Sequence, residues 1–122
     1  MDLKECYAKL GGDYEEVASR LRSERIIRKF VLKFLDDKSY QLLVDSLENH
    51  NNEEALRAAH TLKGVCQNLS FTRLYESSSQ MNNLFKEGRN DEAAAIMPQV
   101  TSDYMATCEA IKELQLSEEA NG

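Results

Sequence analysis

The chain has 122 residues, enough for one domain with its own hydrophobic core, and 42% of them are hydrophobic. Its net charge of −6 repels a phosphate backbone, which argues against a nucleic-acid partner. One proline and five glycines leave little of the chain for turns, so the composition favours a few long helices over many short strands.

Two short helices are predicted at the N-terminus. The first covers about 3–10 and stops at Gly11-Gly12. Asp13 then has the position of an N-cap for a second helix over about 14–21, and Glu16 stands three residues later, as in a capping box. These signals are local, so both boundaries follow from the sequence.

A third helix is predicted from Ser23, as N-cap, to about Asp37. Its apolar residues form a wide stripe that we expect to pack against two neighbours. The stripe consists of Ile26, Ile27, Phe30, Val31, Phe34 and Leu35.

The segment from Arg20 to Lys33 is basic in an otherwise acidic chain. It has six basic residues and the single acid Glu24, which leaves nine basic and twenty acidic residues elsewhere. One interpretation is a solvated helix face, and the other is a docking patch for an acidic partner. The basic residues are Arg20, Arg22, Arg25, Arg28, Lys29 and Lys33.

The next helices alternate with short polar turns. Ser39 is predicted to cap a helix through about Glu48, followed by a turn at 50–52. Helices over about 53–69 and 72–87 follow, and the second of them ends at Gly88. In the helix from Ser39 to about Glu48 we expect three leucines to face inward: Leu42, Leu43 and Leu47.

The last helix is predicted to start near Asp91, with Pro98 inside its apolar pattern. Interior proline removes a backbone hydrogen bond and clashes with the preceding turn, so we expect a kink or a broken first half. Residues 117–122 are polar, and we expect a flexible tail there.

Together these elements predict an all-α fold. Short loops between long helices favour antiparallel neighbours, so we expect an up-and-down four-helix bundle over about 39–116. The extra N-terminal helices, over 3–37, would pack on this bundle and complete a single domain of residues 1–116.

Cysteine usage and the first residues indicate a compartment. The three cysteines Cys6, Cys66 and Cys108 are an odd number with no metal-ligand spacing, which fits a reducing environment. We see no signal peptide and no run of the ~18 apolar residues needed for a membrane span. We therefore expect a cytoplasmic protein with no membrane partner.

The helix over 53–69 has two distinct faces. One face is apolar and should meet the core, with Leu56, Ala59, Leu62, Cys66 and Leu69 at three- and four-residue spacing. The opposite face should meet solvent, with His60, Lys63, Gly64 and Gln67 at i, i+3, i+4 and i+7.

The outer face suits acceptance of a phosphoryl group. Neutral imidazole is a nucleophile near pH 7, since its unperturbed pKa is about 6.5. Lys63, one turn from His60, can neutralise phosphate oxygens, and Gly64 leaves room for a second molecule. Glycine inside a helix costs about 1 kcal/mol relative to alanine, so its presence here needs an explanation. The plainer alternatives are that Gly64 allows close packing of a neighbouring helix and that His60 is an ordinary solvated or core histidine.

The run His60-Thr61-Leu62-Lys63-Gly64 resembles the His-x-Leu-Lys-Gly signature of histidine-containing phosphotransfer (HPt) domains. The resemblance extends through Gln67-Asn68-Leu69 and Leu74, and to the length and helical layout of the chain. One departure is Ser70, which stands where the family usually has glycine.

The resemblance implies a four-helix bundle whose His60 accepts a phosphoryl group at Nε2 from a receiver-domain aspartate and passes it to another receiver. Lys63 would stabilise the phosphate, Gly64 would clear space for the receiver, and Gln67 would border the site. The implied partners are response-regulator receiver domains and a hybrid sensor histidine kinase. We expect a monomer with no cofactor of its own, Mg²⁺ being held by the receiver.

Other classes of function fit less well. Arg57 and Leu47 stand three residues before the two histidines, where a Glu-x-x-His metal motif needs carboxylates. A Ser-His or Cys-His hydrolase would need an orienting group and an oxyanion hole, which the sequence does not place. Without a glycine-rich phosphate loop, a nucleotide site and autonomous kinase activity are not expected.

Two further alternatives keep the helical fold. One is a non-catalytic interaction module that binds through aromatic side chains, for which ordinary packing is the competing explanation. The other is a degenerate HPt domain that binds receivers without phosphotransfer. The aromatic candidates are Phe71, Tyr75, Tyr40 and Phe85.

Overall fold

The structure is a computed structural model that describes residues 1–121. Over these residues it is all-helical, which confirms the predicted all-α class. Within the same range, no helix is both long enough and apolar enough to cross a membrane. The helices are α1 (Leu3–Leu10), α2 (Tyr14–Leu21), α3 (Glu24–Lys33), α4 (Ser39–Glu48), α5 (Asn52–Leu69), α6 (Thr72–Lys86), α7 (Asn90–Ala94) and α8 (Met97–Asn121), with a 3₁₀ turn at Phe34–Asp36 after α3.

Local sequence signals set the first three helices. Gly11 ends α1 in a left-handed conformation with φ of 77°, which glycine adopts without steric cost. The Asp13 carboxylate accepts a hydrogen bond from the Glu16 backbone N–H at 3.0 Å. The Ser23 hydroxyl accepts one from a backbone N–H in the first turn of α3 at 3.3 Å. Both predicted N-caps are therefore confirmed.

The start of α4 differs from the prediction by one residue. Ser39 is the first helical residue, and Lys38 occupies the cap position without a side-chain bond. The Asp37 carboxylate satisfies this end instead, since it accepts hydrogen bonds from the Ser39 backbone N–H at 2.9 Å and from the Ser39 hydroxyl. Asp37, two residues before the first helical residue, therefore provides the N-terminal cap that was predicted for Ser39.

The inward position predicted for Leu42 is wrong, because its side chain is 57% exposed. Leu43 is fully buried and Leu47 is partly buried, and these two lie four residues apart on the side of α4 that faces α5. Leu42 lies about 100° around the helix from Leu43, which places it outside this stripe.

The wide stripe predicted for the third helix is also narrower than expected. Ile27, Val31 and Phe34 are buried, but Ile26 is 38% exposed and Phe30 is 43% exposed. The reason is that α3 is an outer helix, whose contacts with α2, α5 and α8 cover one side. The other side, with Ile26 and Phe30, stays open to solvent.

The core forms around α5, which packs between α4 and α6, while α6 also packs against α8. Loops of three and two residues join α4 to α5 and α5 to α6. This is a helical bundle, and such short loops favour antiparallel neighbours. The full up-and-down order and the core boundaries of 39–116 stay predictions.

The N-terminal helices are attached to this bundle on the side of α8. Helix α1 packs along α8, and the Lys9 ammonium pairs with the Glu113 carboxylate of α8 at 2.6 Å. The Phe34 ring meets the Phe71 ring edge-on, with centroids 5.2 Å apart. The N-terminal layer therefore packs on the bundle through both apolar and charged contacts.

The C-terminal part shows the predicted break. Helix α7 ends before α8, and Pro98 is the second residue of α8, where its missing N–H leaves no helical bond unmade. The flexible tail predicted from residue 117 is instead helical through Asn121. The Ser117 hydroxyl accepts a bond from the N-terminal amine at 3.2 Å, and Glu118 pairs with Arg28, so contacts with the N-terminal layer hold this end. Gly122, the last residue of the predicted tail, lies outside the described residues.

Candidate functional site

Helix α5 carries the predicted site on a well-defined platform. Its N-cap is Asn51, whose side-chain oxygen accepts a hydrogen bond from the Glu54 N–H at 3.1 Å. The inner face contains four of the five predicted core residues, while Leu56 is only partly buried. Two alanines that the sequence pattern did not single out complete it. The buried residues of α5 are Ala55, Ala58, Ala59, Leu62, Cys66 and Leu69.

The four predicted site residues share the opposite face of α5. The His60 and Gln67 side chains are exposed, and Lys63 and Gly64 are partly exposed. Because residues three and four apart are neighbours on a helix surface, Lys63 and Gly64 lie one turn beyond His60. The helix therefore presents an imidazole, a cation and a bare backbone to solvent side by side.

Gly64 borders open space. A Cβ atom added at this position would meet no heavy atom within 4 Å. The alternative interpretation, that Gly64 allows close packing of a neighbouring helix, is therefore wrong. The missing side chain instead leaves the position one turn from His60 unobstructed.

Charges surround His60 on both sides along the helix. Arg57, one turn before it, pairs with the Glu54 carboxylate at 2.8 Å and the Glu53 carboxylate at 3.5 Å. Two acids thus already compensate Arg57, although these exposed pairs are weak. Lys63, one turn after His60, is therefore the cation on this face best able to neutralise a group attached to the imidazole.

The C-terminus of α5 is held by a residue that the sequence analysis did not place in the site. Arg20 of α2 donates hydrogen bonds from Nη2 to the backbone carbonyls of Gln67 at 3.2 Å and Asn68 at 2.6 Å. Carbonyls at a helix C-terminus lack partners within the helix, and a cation there also interacts favourably with the helix dipole. Arg20 therefore caps the helix that carries His60.

Ser70, which stands where the family usually has glycine, combines a left-handed backbone with two hydrogen bonds of its hydroxyl. Its backbone is left-handed with φ of 57°, a conformation that glycine adopts most easily. Its hydroxyl accepts a bond from Arg20 at 2.8 Å and donates one to Glu16 at 2.6 Å. The bond from Ser70, followed by that from Arg20, holds the pKa of the Glu16 carboxyl below its ordinary value. The hydroxyl contacts offset part of the strain that serine introduces.

An apolar groove runs beside the C-terminal half of α5. Its volume is about 660 Å³, and α3 and the 3₁₀ turn form its other wall. A smaller cavity of about 360 Å³ lies on the other side of Arg20, bordered by Gln67. The lining residues of the groove are Arg20, Leu21, Phe30, Lys33, Phe34, Asp36, Asp37, Val65, Asn68 and Leu69.

The aromatic residues considered as partner contacts are engaged within the fold. Phe71 and Phe85 are buried. The Tyr40 ring stacks on the Tyr104 ring with centroids 3.8 Å apart, and its hydroxyl lies 2.9 Å from that of Thr101. The Tyr75 side chain is partly buried and packs against the core. Ordinary packing thus accounts for these four side chains. Among residues 1–121, no cluster of three or more His, Cys, Asp or Glu side chains has the arrangement of a metal site.

Comparison with family models identifies the class of protein. The model of the Hpt domain matches residues 34–118, which is more than half of the chain, so the chain belongs to the Hpt domain family. Domains of this family are phosphocarriers in phosphorelays and not kinases, and they interact with response-regulator receiver domains. Residues 1–33, with α1, α2 and α3, lie outside the match. The comparisons with curated proteins and with solved structures find no match.

Proposed function

We propose that this protein accepts a phosphoryl group on His60 from the aspartate of one receiver domain and passes it to the aspartate of another. The observation that carries this proposal is the exposure of His60 beside the open space at Gly64. A phosphorylated aspartate lies on a folded domain, so it can reach only an imidazole with clear surface around it.

From His60 the reaction requires a neutral imidazole with its proton on Nδ1. Nε2 attacks phosphorus, the N–P bond forms, and the P–O bond to the aspartate breaks, with the electron pair leaving on the carboxylate. The return step reverses this transfer on a second receiver. Lys63 neutralises phosphate oxygens in both directions, and Gln67 borders the site.

The source of the phosphoryl group is a partner. Because the sequence has no glycine-rich phosphate loop, the chain has no kinase activity of its own in this proposal. A hybrid sensor kinase would feed the relay through its receiver, which also holds the Mg²⁺ needed for phosphoryl transfer. The carrier itself would work as a monomer in the cytoplasm without a cofactor.

The decisive experiment compares two histidines. Wild-type protein, His60→Gln and His50→Asn are incubated with a receiver domain labelled on its aspartate. His50 is the matched control, since it is exposed and its left-handed backbone, with φ of 54°, suits asparagine. We expect acid-labile, alkali-stable label on wild type and His50→Asn, and none on His60→Gln. Label on His60→Gln at the wild-type level would refute the assignment.

The alternative is a degenerate family member that binds receivers without turnover. It predicts complex formation with receivers, measured by titration calorimetry, but no label on the wild-type chain. Labelling and calorimetry together therefore distinguish a carrier from an interaction module, because only the carrier needs His60.

A further inference from the structure

Two cations flank His60 along α5. Arg57 stands three residues before it and Lys63 three residues after it, so each lies about one turn from the imidazole, on opposite sides of it along the helix. In the proposed function Lys63 neutralises the phosphate, whereas Arg57 has no task. Arg57 is therefore a charged neighbour of the reacting side chain whose role is still unexplained.

The ion pairs of Arg57 hold it away from His60 only weakly. Its Nη1 lies 2.8 Å from the Glu54 carboxylate, and its Nη2 lies 3.5 Å from the Glu53 carboxylate, both in the first turn of α5. The side chains are 68% exposed for Arg57, 50% for Glu54 and 79% for Glu53. Ion pairs this exposed contribute little, and exposed side chains change rotamer within nanoseconds. The guanidinium is thus free to take another partner.

Phosphorylation of His60 would supply a stronger partner. A phosphoryl group adds roughly −1.5 to −2 charges near pH 7 and three acceptor oxygens. Lys63 has one positive charge, which leaves part of this anion uncompensated. A guanidinium can form two parallel hydrogen bonds to a phosphate, whereas each carboxylate contacts only one nitrogen of Arg57. The phosphoryl group would therefore compete well for Arg57.

The helix geometry brings the two groups within reach of each other. Side chains of an α-helix tilt toward its N-terminus, so the His60 side chain covers the turn that contains Arg57. The Cβ atoms of residues three apart on a helix are about 5–6 Å from each other. Rotation about the side-chain bonds of Arg57 is thus enough to bring its guanidinium to the phosphoryl oxygens, without movement of the backbone.

We propose that Arg57 is a second phosphate-binding residue, which leaves Glu53 and Glu54 when His60 is phosphorylated and pairs with the phosphoryl group. The two acids compete for Arg57, so they limit how far the phosphorylated form is stabilised and keep the group transferable to the next receiver. This inference rests on the proposed function and adds to it what sets the free energy of the phosphorylated state.

The test measures the equilibrium constant for phosphoryl exchange between His60 and the aspartate of a receiver domain that labels the wild-type chain. The equilibrium is approached from labelled receiver and from chain labelled by phosphoramidate, a small donor that releases ammonia. Contacts that only speed the encounter change the forward and reverse rates by the same factor, so they leave this constant unchanged.

The variants change the arginine and its two acids separately. They are Arg57→Gln, Arg57→Lys, and Glu53→Gln combined with Glu54→Gln. The matched controls are Arg89→Gln and Glu92→Gln, because Arg89 also pairs with an exposed glutamate three residues later, at the start of α7.

We expect Arg57→Gln to shift the equilibrium constant toward the receiver by about threefold or more, since a charged hydrogen-bonded pair with the phosphoryl group is lost. Arg57→Lys should recover part of this loss, because lysine keeps the charge but lacks the planar fork. The variant without Glu53 and Glu54 carboxylates should shift the constant toward His60. These differences should shrink at high salt, and the controls should behave as wild type.

Loss of the two acids also removes their repulsion of the phosphate, so the acid substitutions are repeated in the Arg57→Gln background. If the acids act by holding Arg57, their removal should have a much smaller effect when Arg57 is absent. An effect of equal size in both backgrounds would mean that Glu53 and Glu54 act by repulsion alone, which overturns the proposal.

Other results also overturn it. An equilibrium constant for Arg57→Gln equal to that of wild type or of Arg89→Gln means that Arg57 does not contact the phosphoryl group, although His60 remains the carrier. Shifts in the same direction for the arginine and the acid variants mean that these ion pairs act only on the helix. If neither donor labels the wild-type chain, the carrier function itself fails, and this proposal fails with it.

Discussion

The Arg20 guanidinium donates a hydrogen bond to the Ser70 hydroxyl across 2.8 Å, although the two residues lie 50 positions apart in the chain. Arg20 belongs to α2, and Ser70 follows the last residue of α5. The bond therefore joins the N-terminal layer, which lies outside the family match, to the helix that carries His60. The C-terminal end of the site helix is thus held by a residue outside the matched range.

Two substitutions of Ser70 distinguish the backbone strain at this position from the stabilisation by its hydroxyl. Ser70→Ala keeps the left-handed strain and loses the bonds to Arg20 and Glu16, whereas Ser70→Gly loses the bonds but relieves the strain. We expect Ser70→Gly to be more stable than Ser70→Ala by about 1 kcal/mol in urea unfolding. Alanine equal to or better than glycine would show that strain at this position is negligible.

Glu16 should make stability depend on pH. Its pKa is lowered in the folded protein from the ordinary value of 4.5, so its contribution is present above about pH 4.5 and is lost as the pH falls through the folded value. We expect Glu16→Gln to lower the urea midpoint at pH 7 and to approach wild type at pH 3. Glu15→Gln, an exposed neighbour, serves as control and should show no such convergence.

Gly64 should show opposite effects on stability and on transfer. Alanine and glutamine favour a helix more than glycine does, and a Cβ atom at this position meets no heavy atom within 4 Å, so we expect an increase in unfolding free energy of up to about 1 kcal/mol for Gly64→Ala and Gly64→Gln. Transfer from a receiver should slow as the side chain becomes larger, by about tenfold or more for glutamine. A side chain at position 64 would hold the phosphoaspartate of the receiver away from His60, and transfer is slow when the reacting atoms are misplaced. A glutamine variant that transfers at the wild-type rate would contradict the role of the open surface.

Lys63 should act on the reaction and not on folding. Lys63→Gln removes the charge, and we expect transfer to His60 to slow by about tenfold with little change in unfolding free energy. Lys63→Arg should restore part of the rate because it keeps the cation. Lys86→Gln, at an exposed lysine of α6, is the control for loss of one positive charge. Equal rates for Lys63→Gln and Lys86→Gln would exclude a direct role.

The parts of the fold that the sequence predicts well depend on neighbours in the chain. Asp13 and Ser23 cap helices two or three residues away, and Pro98 limits the helix in which it stands. The outer face of α5 was likewise predictable, because three- and four-residue spacing places His60 opposite Leu62 and Cys66. Local rules suffice for these features.

The features that sequence reasoning missed depend on contacts between distant segments. Phe30 and Leu42 have the spacing of core residues, and only the packing of whole helices leaves them exposed. Arg20 stood out as one of six basic residues, but nothing in its neighbourhood indicates that it caps α5. The polar residues after 117 resemble a tail until their contacts with Met1 and Arg28 are known.

The open space at Gly64 also bears on how this protein responds to selection. A Cβ atom at position 64 meets no heavy atom within 4 Å, and most residues other than proline favour a helix more than glycine does, so on the proposed function the glycine trades stability for access to His60. A screen for heat resistance alone should therefore enrich substitutions at Gly64, and those proteins would fold better while relaying less. A second screen, for signalling, should restore the glycine. Comparing the residues that the two screens enrich at position 64 shows whether the natural glycine serves stability or phosphoryl transfer.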